Sequence, residues 1–308
     1  MTDHAHQGGR AAGYRVLGRA YDYLLHLRPA EWPIMAAHTA LGALLALGSA
    51  GTWSDAPVGG IVLGLLLWVI CLNGGTLAIN SAWDHDEGDI AYLRRPPPPP
   101  PRLFRFGLGL MLAGQALALL LPAPFALLYA ICLVFSVLYS VPPWRLKATP
   151  GADWFINMWG FGTFTPWAGW ASTGTSLDAT HALVLIAFCP LFAALYPLTQ
   201  LYQVEEDRRR GDRTFVLWLG ERRSLMLAVA ASLVAFALLA WAGMRSGWPA
   251  ASWRWAAIAV ALACWMAVLL PWLRTAGIRS SREHQRGMYE ALAAWAVTDL
   301  AVLAAWVA

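Results

Sequence analysis

The sequence predicts an all-α, polytopic membrane protein of nine transmembrane helices around a central cavity. Three observations predict it. Of 308 residues 58% are hydrophobic, and the mean hydropathy is +0.50. Apolar runs of about 20 residues recur, the length a bilayer core demands of a helix. Finally, 20 of the 22 basic residues fall in alternate loops, as the positive-inside rule requires of a multi-pass chain.

The elements follow in order. Residues 1–28 form a polar segment carrying Arg10, Arg15, Arg19 and Arg28; it has no signal-peptide pattern, so the first span directs insertion. Residues 29–308 are read as a single transmembrane domain. Its spans fall at roughly 31–49, 59–80, 104–121, 123–140, 154–171, 180–202, 224–243, 253–273 and 288–307. Short Pro/Gly breaks separate several of them, as at Pro122 and Pro124. Arginines and Lys147 populate the N-terminal segment and the loops after spans two, four, six and eight, while the other loops hold only Arg245 and Arg254. This places the N-terminus in the cytoplasm and the C-terminus outside, in a cell membrane. The net charge of +4 does not point to nucleic acid, because the arginines already have a membrane role. The 18 Trp suit interfacial belts. Cys71, Cys132, Cys189 and Cys264 all lie in apolar runs and read as small packing residues.

A ten-residue pattern occurs twice, 123 positions apart. Asn80-xxx-Asp84-xxx-Gly88-Asp89 and Gln203-xxx-Asp207-xxx-Gly211-Asp212 each follow an apolar run, and their clusters hold eight of the 18 acidic residues. Cluster one ends span two and cluster two ends span six. A four-helix unit therefore appears twice, at about 29–150 and 151–275, with the helix 288–307 added. Facing repeats would bring both clusters, on the cytoplasmic side, over one cavity. On a helix Asn80 and Asp84 share a face, as do Gln203 and Asp207. Gly88 and Gly211 would let the chain leave through a left-handed turn and aim Asp89 and Asp212 back. Oxygen donors in so small a number fit Mg²⁺ completed by a phosphorylated substrate better than Ca²⁺. The expected metal-site residues are Asn80, Asp84, Asp86, Asp89, Gln203, Asp207 and Asp212, whereas Asp55 and Asp178 lie in the opposite loops and should take no part.

These motifs, with Tyr139-Ser140-Val-Pro142-Pro143-Trp-Arg145-Leu-Lys147 and Asp207-Arg-Arg-Arg-Gly211-Asp-Arg213-Thr214 before Leu219-Gly220, resemble the UbiA superfamily of intramembrane prenyltransferases. The resemblance runs from about Arg28 to the C-terminus. It implies two Asp-rich motifs that bind Mg²⁺ and an isoprenyl diphosphate, and transfer of the prenyl chain to a lipophilic acceptor in the bilayer. On it, Asp84, Asp207, Lys147 and Arg145 are the expected catalytic residues. Asn80, Arg94, Arg95, Tyr139, Asn157, Gln203, Arg208 and Arg213 are expected to bind substrate. The chain departs from the family pattern at Ser81, Gly88 and Gln203, and Arg94-Arg95 precede six prolines, Pro96 to Pro101. That run is either a polyproline rod fixing the two arginines or a plain spacer.

Alternatives stand beside each residue. Lys147 and Tyr139 could be interfacial anchors, and Asn73 could serve helix packing rather than the cavity. His38, His181 and His284 read as structural, and Asp299 as a helix-packing hydrogen bond. Two other activities stay open: cyclisation of an isoprenyl diphosphate within the same superfamily, and non-catalytic binding or transport of a lipid phosphate.

Overall fold

The computed structural model describes the backbone of residues 2–51, 53–84, 93 and 96–307, and no strand forms among them. Two helices precede the bundle, α1 (Thr2–Leu17) and α2 (Ala20–His26). The bundle follows: α3 (Trp32–Ala50), α4 (Val58–Asp84), α5 (Leu103–Ala118), α6 (Ala123–Ser140), α7 (152–171) and α8 (Ala179–Leu201). Two short helices, α9 (Val204–Arg210) and α10 (Phe215–Leu219), lead into α11 (Glu221–Arg245), α12 (Trp253–Arg274) and α13 (Ser281–Val307).

Helices lie where the apolar runs predict them, but the expected count of nine is met only in part. Among the described residues seven are long and apolar enough to cross a membrane: α3, α4, α6, α8, α11, α12 and α13. The other two expected spans are α5, at 16 residues short for a bilayer, and α7, which is divided into Ala152–Asn157, a π-helical Met158–Phe164 and Thr165–Ala171. A π-helical stretch, Leu67–Gly74, also interrupts α4. Such segments admit an extra residue into a helix and recur where a helix wall must widen or re-aim.

Packing follows the small residues. A Cβ on Gly42 of α3 would collide with the Pro166 carbonyl of α7, and one on Gly169 of α7 with the Thr39 carbonyl of α3. The two backbones therefore touch, a contact only glycine permits. The larger core joins α8 to α11, α12 and α13 around Phe188, Trp265 and Trp272, each fully buried. Buried ring nitrogens are satisfied across helices: Trp265 Nε1 donates to Thr298 at 3.1 Å, and Trp272 Nε1 to His284 Nδ1 at 3.0 Å. Pro197 inside α8 cannot donate to the Ala193 carbonyl, and Trp154 Nε1 of α7 takes that acceptor at 3.0 Å.

Asp299, expected to make a helix-packing hydrogen bond, has a partner. His38 Nδ1 lies 3.1 Å and 3.2 Å from its two carboxylate oxygens, and His38 Nε2 lies 3.3 Å from the Gly162 carbonyl. This ties α3, α7 and α13 together deep in the bundle. The polyproline run has a contact as well: buried His26 bonds the Pro97 carbonyl at 3.1 Å, fastening α2 to it.

Candidate active site

Two cavities share a wall. The first, about 180 Å³, is polar and lined by Asn80, Asp84, Tyr139, Lys147, Gln203, Asp207 and Asp212, among others. The second, about 290 Å³, is an apolar chamber whose lining includes Trp68, Leu72, Phe135, Phe161 and Phe192. Arg28, Asn80, Tyr139, Tyr196, Thr199 and Tyr202 border both. The chamber also reaches Ile34 and Tyr289, which are exposed on the outer surface of α3 and α13.

Local structure places each polar group. Asn80 and Asp84 occupy the last turn of α4, one above the other. Tyr139 closes α6, and the chain then turns at Pro142-Pro143 so that Arg145 and Lys147 lean over the end of α4. Lys147 pairs with the Asp84 carboxylate and lies 3.4 Å from Asn80 Oδ1. Arg145 spans both acidic clusters, 3.8 Å from Asp84 Oδ1 and 3.0 Å from Asp212 Oδ1. The left-handed turn expected at Gly211 is present, at φ 74°, and directs Asp212 to that contact. Asp207, 5% exposed, accepts from Thr214 Oγ1 at 3.4 Å.

Among the described residues only two non-glycine residues hold a positive φ, Arg28 at 50° and Arg145 at 37°. Each such residue costs about 1–2 kcal/mol. Arg28 lines the polar cavity and Arg145 pairs with two of its lining carboxylates, so the strain is concentrated where cations must be aimed.

A carboxylate that the motifs do not include organises the second cluster. Asp153, fully buried, accepts at Oδ2 from Gln200 Nε2 (3.0 Å), the Phe215 backbone N–H (3.0 Å) and the Tyr196 hydroxyl (3.4 Å). Its Oδ1 accepts from the Gly151 N–H at 3.0 Å. Gln200 Oε1 in turn accepts from the Val216 N–H at 3.2 Å. Asp153 thus fastens α7, α8 and α10 around the loop that carries Asp207 and Asp212. The Tyr139 and Tyr196 hydroxyls, 3.1 Å apart, extend this network to the boundary of the two cavities.

Several expected residues are elsewhere. Arg208 points outward and pairs with Glu205 at 2.7 Å, both side chains more than 60% exposed. It follows Asp207 by one residue, which turns it off the cavity face. Arg213 is exposed and lines neither cavity. Asn157 lines the apolar chamber only, its amide donating to the Asp153 carbonyl at 2.8 Å. Ser81 is buried and lines neither cavity. Asp86, Gly88, Asp89, Arg94 and Arg95 lie outside the described residues. The motifs did not single out Arg28, Glu31, Tyr196, Thr199, Gln200 or Tyr202. A signal existed for two of them: Tyr196 and Gln200 are four apart and precede Gln203 on the same apolar run.

The profile of the UbiA prenyltransferase family matches residues 35–286. The chain belongs to the UbiA prenyltransferase family. Solved UbiA folds agree in architecture. A structure of digeranylgeranylglyceryl phosphate synthase superposes with a TM-score of 0.70 at 14% identity, covering 94% of this chain and 99% of that one. A UbiA homolog from Archaeoglobus fulgidus bound to DMAPP and Mg²⁺ gives 0.63 at 19% identity, covering 92% and 99%. A UbiA homolog from Aeropyrum pernix K1 gives 0.62 at 17% identity, covering 88% and 98%. None of the curated proteins matches by sequence.

The donor chemistry suits Mg²⁺ held jointly with a diphosphate. Among the described residues no group of three or more His, Cys, Asp or Glu side chains forms a metal cage. Hard oxygens of Asn80, Asp84, Gln203, Asp207 and Asp212 nevertheless line one cavity, and Mg²⁺ takes one or two carboxylates with phosphate oxygens and water.

Proposed function

We propose that this membrane protein transfers an isoprenyl chain from an isoprenyl diphosphate to a lipophilic acceptor, with Mg²⁺ as cofactor. The observation that carries the reading is the shared wall: a polar, charge-lined cavity adjoins an apolar, aromatic-lined chamber. A diphosphate suits the first and a hydrocarbon tail the second. Asn80, Asp84, Gln203, Asp207 and Asp212 would hold Mg²⁺, which when bound offsets diphosphate charge and favours its departure. Lys147 and Arg145 present two cations toward the leaving group, where developing negative charge gains most. Tyr139 and Asn80 stand at the boundary, beside the bond to be broken. Trp68, Phe135 and Phe192 offer ring faces to an allylic cation and keep water from it. That related structures are described with DMAPP or GPP and Mg²⁺ supports the same reading.

The reading takes nine spans, counting α5 and the divided α7, with the N-terminus and acidic loops cytoplasmic and the C-terminus outside. Cysteines introduced at 176 should then react with an impermeant thiol reagent from outside, and those at 98 should not; reversed labelling would overturn the orientation.

The aromatic lining also suits a cyclase, in which the cation attacks its own chain. One experiment separates the activities: purified protein with geranylgeranyl diphosphate and Mg²⁺, with and without lipid extract. Diphosphate release that requires extract supports transfer. Release without extract supports cyclisation, and no release under either condition leaves binding or transport.

A further inference from the structure

Asn73 is 4% exposed in the π-helical part of α4, on the wall of the apolar chamber. Neither Nδ2 nor Oδ1 closes a hydrogen bond, and among the described residues no other carboxamide is buried with both polar atoms lacking a partner. Its amide stands near the Glu31 carboxyl without closing a well-aligned bond to it, and Glu31 lines the same chamber. Arg28, 6% exposed with an unpartnered Nε, lines the same chamber. A π turn is what brings Asn73 here, since it shifts the following residues round the helix axis.

A buried amide with neither atom paired is unfavourable and marks a place where a ligand group fits. An isoprenyl tail is pure hydrocarbon and can satisfy neither atom. The remaining occupant of the chamber is the acceptor. A carboxyl group, Glu31, and a guanidinium, Arg28, both line the chamber, so neither an anionic nor a cationic head meets a wall of uniformly opposite sign. A hydroxyl is the smallest group that both donates and accepts: its proton can go to Glu31 or Asn73 Oδ1, and its oxygen can take Nδ2–H. We propose that Asn73 and Glu31 form the acceptor subsite and select a neutral, hydroxyl-bearing apolar molecule. This rests on the prenyl-transfer reading and adds the chemical class of its second substrate.

Three probes with one ring system and different heads test it: 2-naphthol, naphthalene and 2-naphthoate, titrated into the full-length detergent-solubilised protein at neutral pH. Wild-type protein should bind 2-naphthol about tenfold tighter than naphthalene, the ratio one hydrogen bond supplies, and tighter than the carboxylate. Asn73→Leu should erase the naphthol preference, and Glu31→Gln should reduce it. Both variants should bind geranyl diphosphate with Mg²⁺ as wild type does, which also shows that they are folded. Equal binding of naphthol and naphthalene by wild type would overturn the subsite, and so would preference for 2-naphthoate or a naphthol preference that survives in Asn73→Leu. The first two outcomes need no variant. Failure of wild type to bind geranyl diphosphate would instead count against the prenyl-transfer reading itself.

Discussion

Gly211 isolates the contribution of one carboxylate through backbone conformation alone. Its φ is 74°, and a Cβ built there meets nothing within 4 Å, so any substitution acts by conformation and not by collision. An L-residue held in the left-handed region costs about 1–2 kcal/mol, and a β-branched one sits at the top of that range. The same turn carries the Asp212 N–H to the Asp207 carbonyl at 3.1 Å and Asp212 Oδ1 to Arg145 at 3.0 Å. Gly211→Val should therefore reduce the population with Asp212 in the cavity by roughly 5- to 30-fold. The assay is diphosphate release from geranyl diphosphate against Mg²⁺ concentration, where the apparent Mg²⁺ requirement should rise by that factor. Gly211→Asn, whose side chain tolerates the left-handed region, should stay within about twofold of wild type. The melting temperature should barely move, because the turn is exposed and lies outside the long apolar helices. Unchanged Mg²⁺ dependence in Gly211→Val would refute the reasoning and leave Asp212 as a surface charge. Equal damage from Val and Asn would show that conformation is not the cause.

Asp84→Ala and Asp207→Ala should each lower diphosphate release by a factor of about 10² or more, measured with folded, membrane-extracted protein. Asp178→Ala should leave activity intact yet lower stability by about 1 kcal/mol, because Asp178 caps α8 with bonds from the Thr180 N–H (2.8 Å) and the His181 N–H (3.1 Å). Burial pushes the Asp178 carboxyl up but the His181 bonds prevail and hold it below its ordinary value, so the cap is present at neutral pH and lost only as acid protonates it; a melting-temperature profile against pH checks the sign. Asp153→Leu strands the Phe215 and Gly151 N–H groups and the Gln200 amide, and should cost roughly 3–5 kcal/mol in thermal unfolding. His38→Leu leaves the Asp299 carboxylate without its partner and should destabilise by about 3–5 kcal/mol, whereas His38→Leu with Asp299→Leu should recover most of that loss.

The membrane class and the two acidic motifs were legible because both are local. Apolar length reads directly from the sequence, and Asn80–Asp84 and Gln203–Asp207 each sit within about one helical turn. Convergence was inferred from repetition, and Arg145 touches both Asp84 and Asp212. What sequence could not display were partners far apart in the chain. Asp153 looks like an ordinary first-turn acid until Gln200 and Phe215 fold onto it, 47 and 62 residues away. His38 and Asp299 are separated by 261 residues and explain each other only when α3 meets α13. Arg208 shows the opposite error: a motif neighbour assigned to substrate turns outward, because adjacent helical residues point about 100° apart.

The widened turns in α4 and α7 separate the effects of two kinds of genetic change. Point replacements along Leu67–Gly74 alter what one side chain touches. Loss of a single codon there removes the residue that the wide turn accommodates, so the segment can relax to an ordinary helix with the residues beyond it still in register. Asn80 and Asp84 would keep their place beside Lys147, and what is lost is the wide stretch of wall between them and Val58–Leu66. A one-residue deletion in these stretches can thus reshape the wall of the apolar chamber without moving the polar residues at the end of α4.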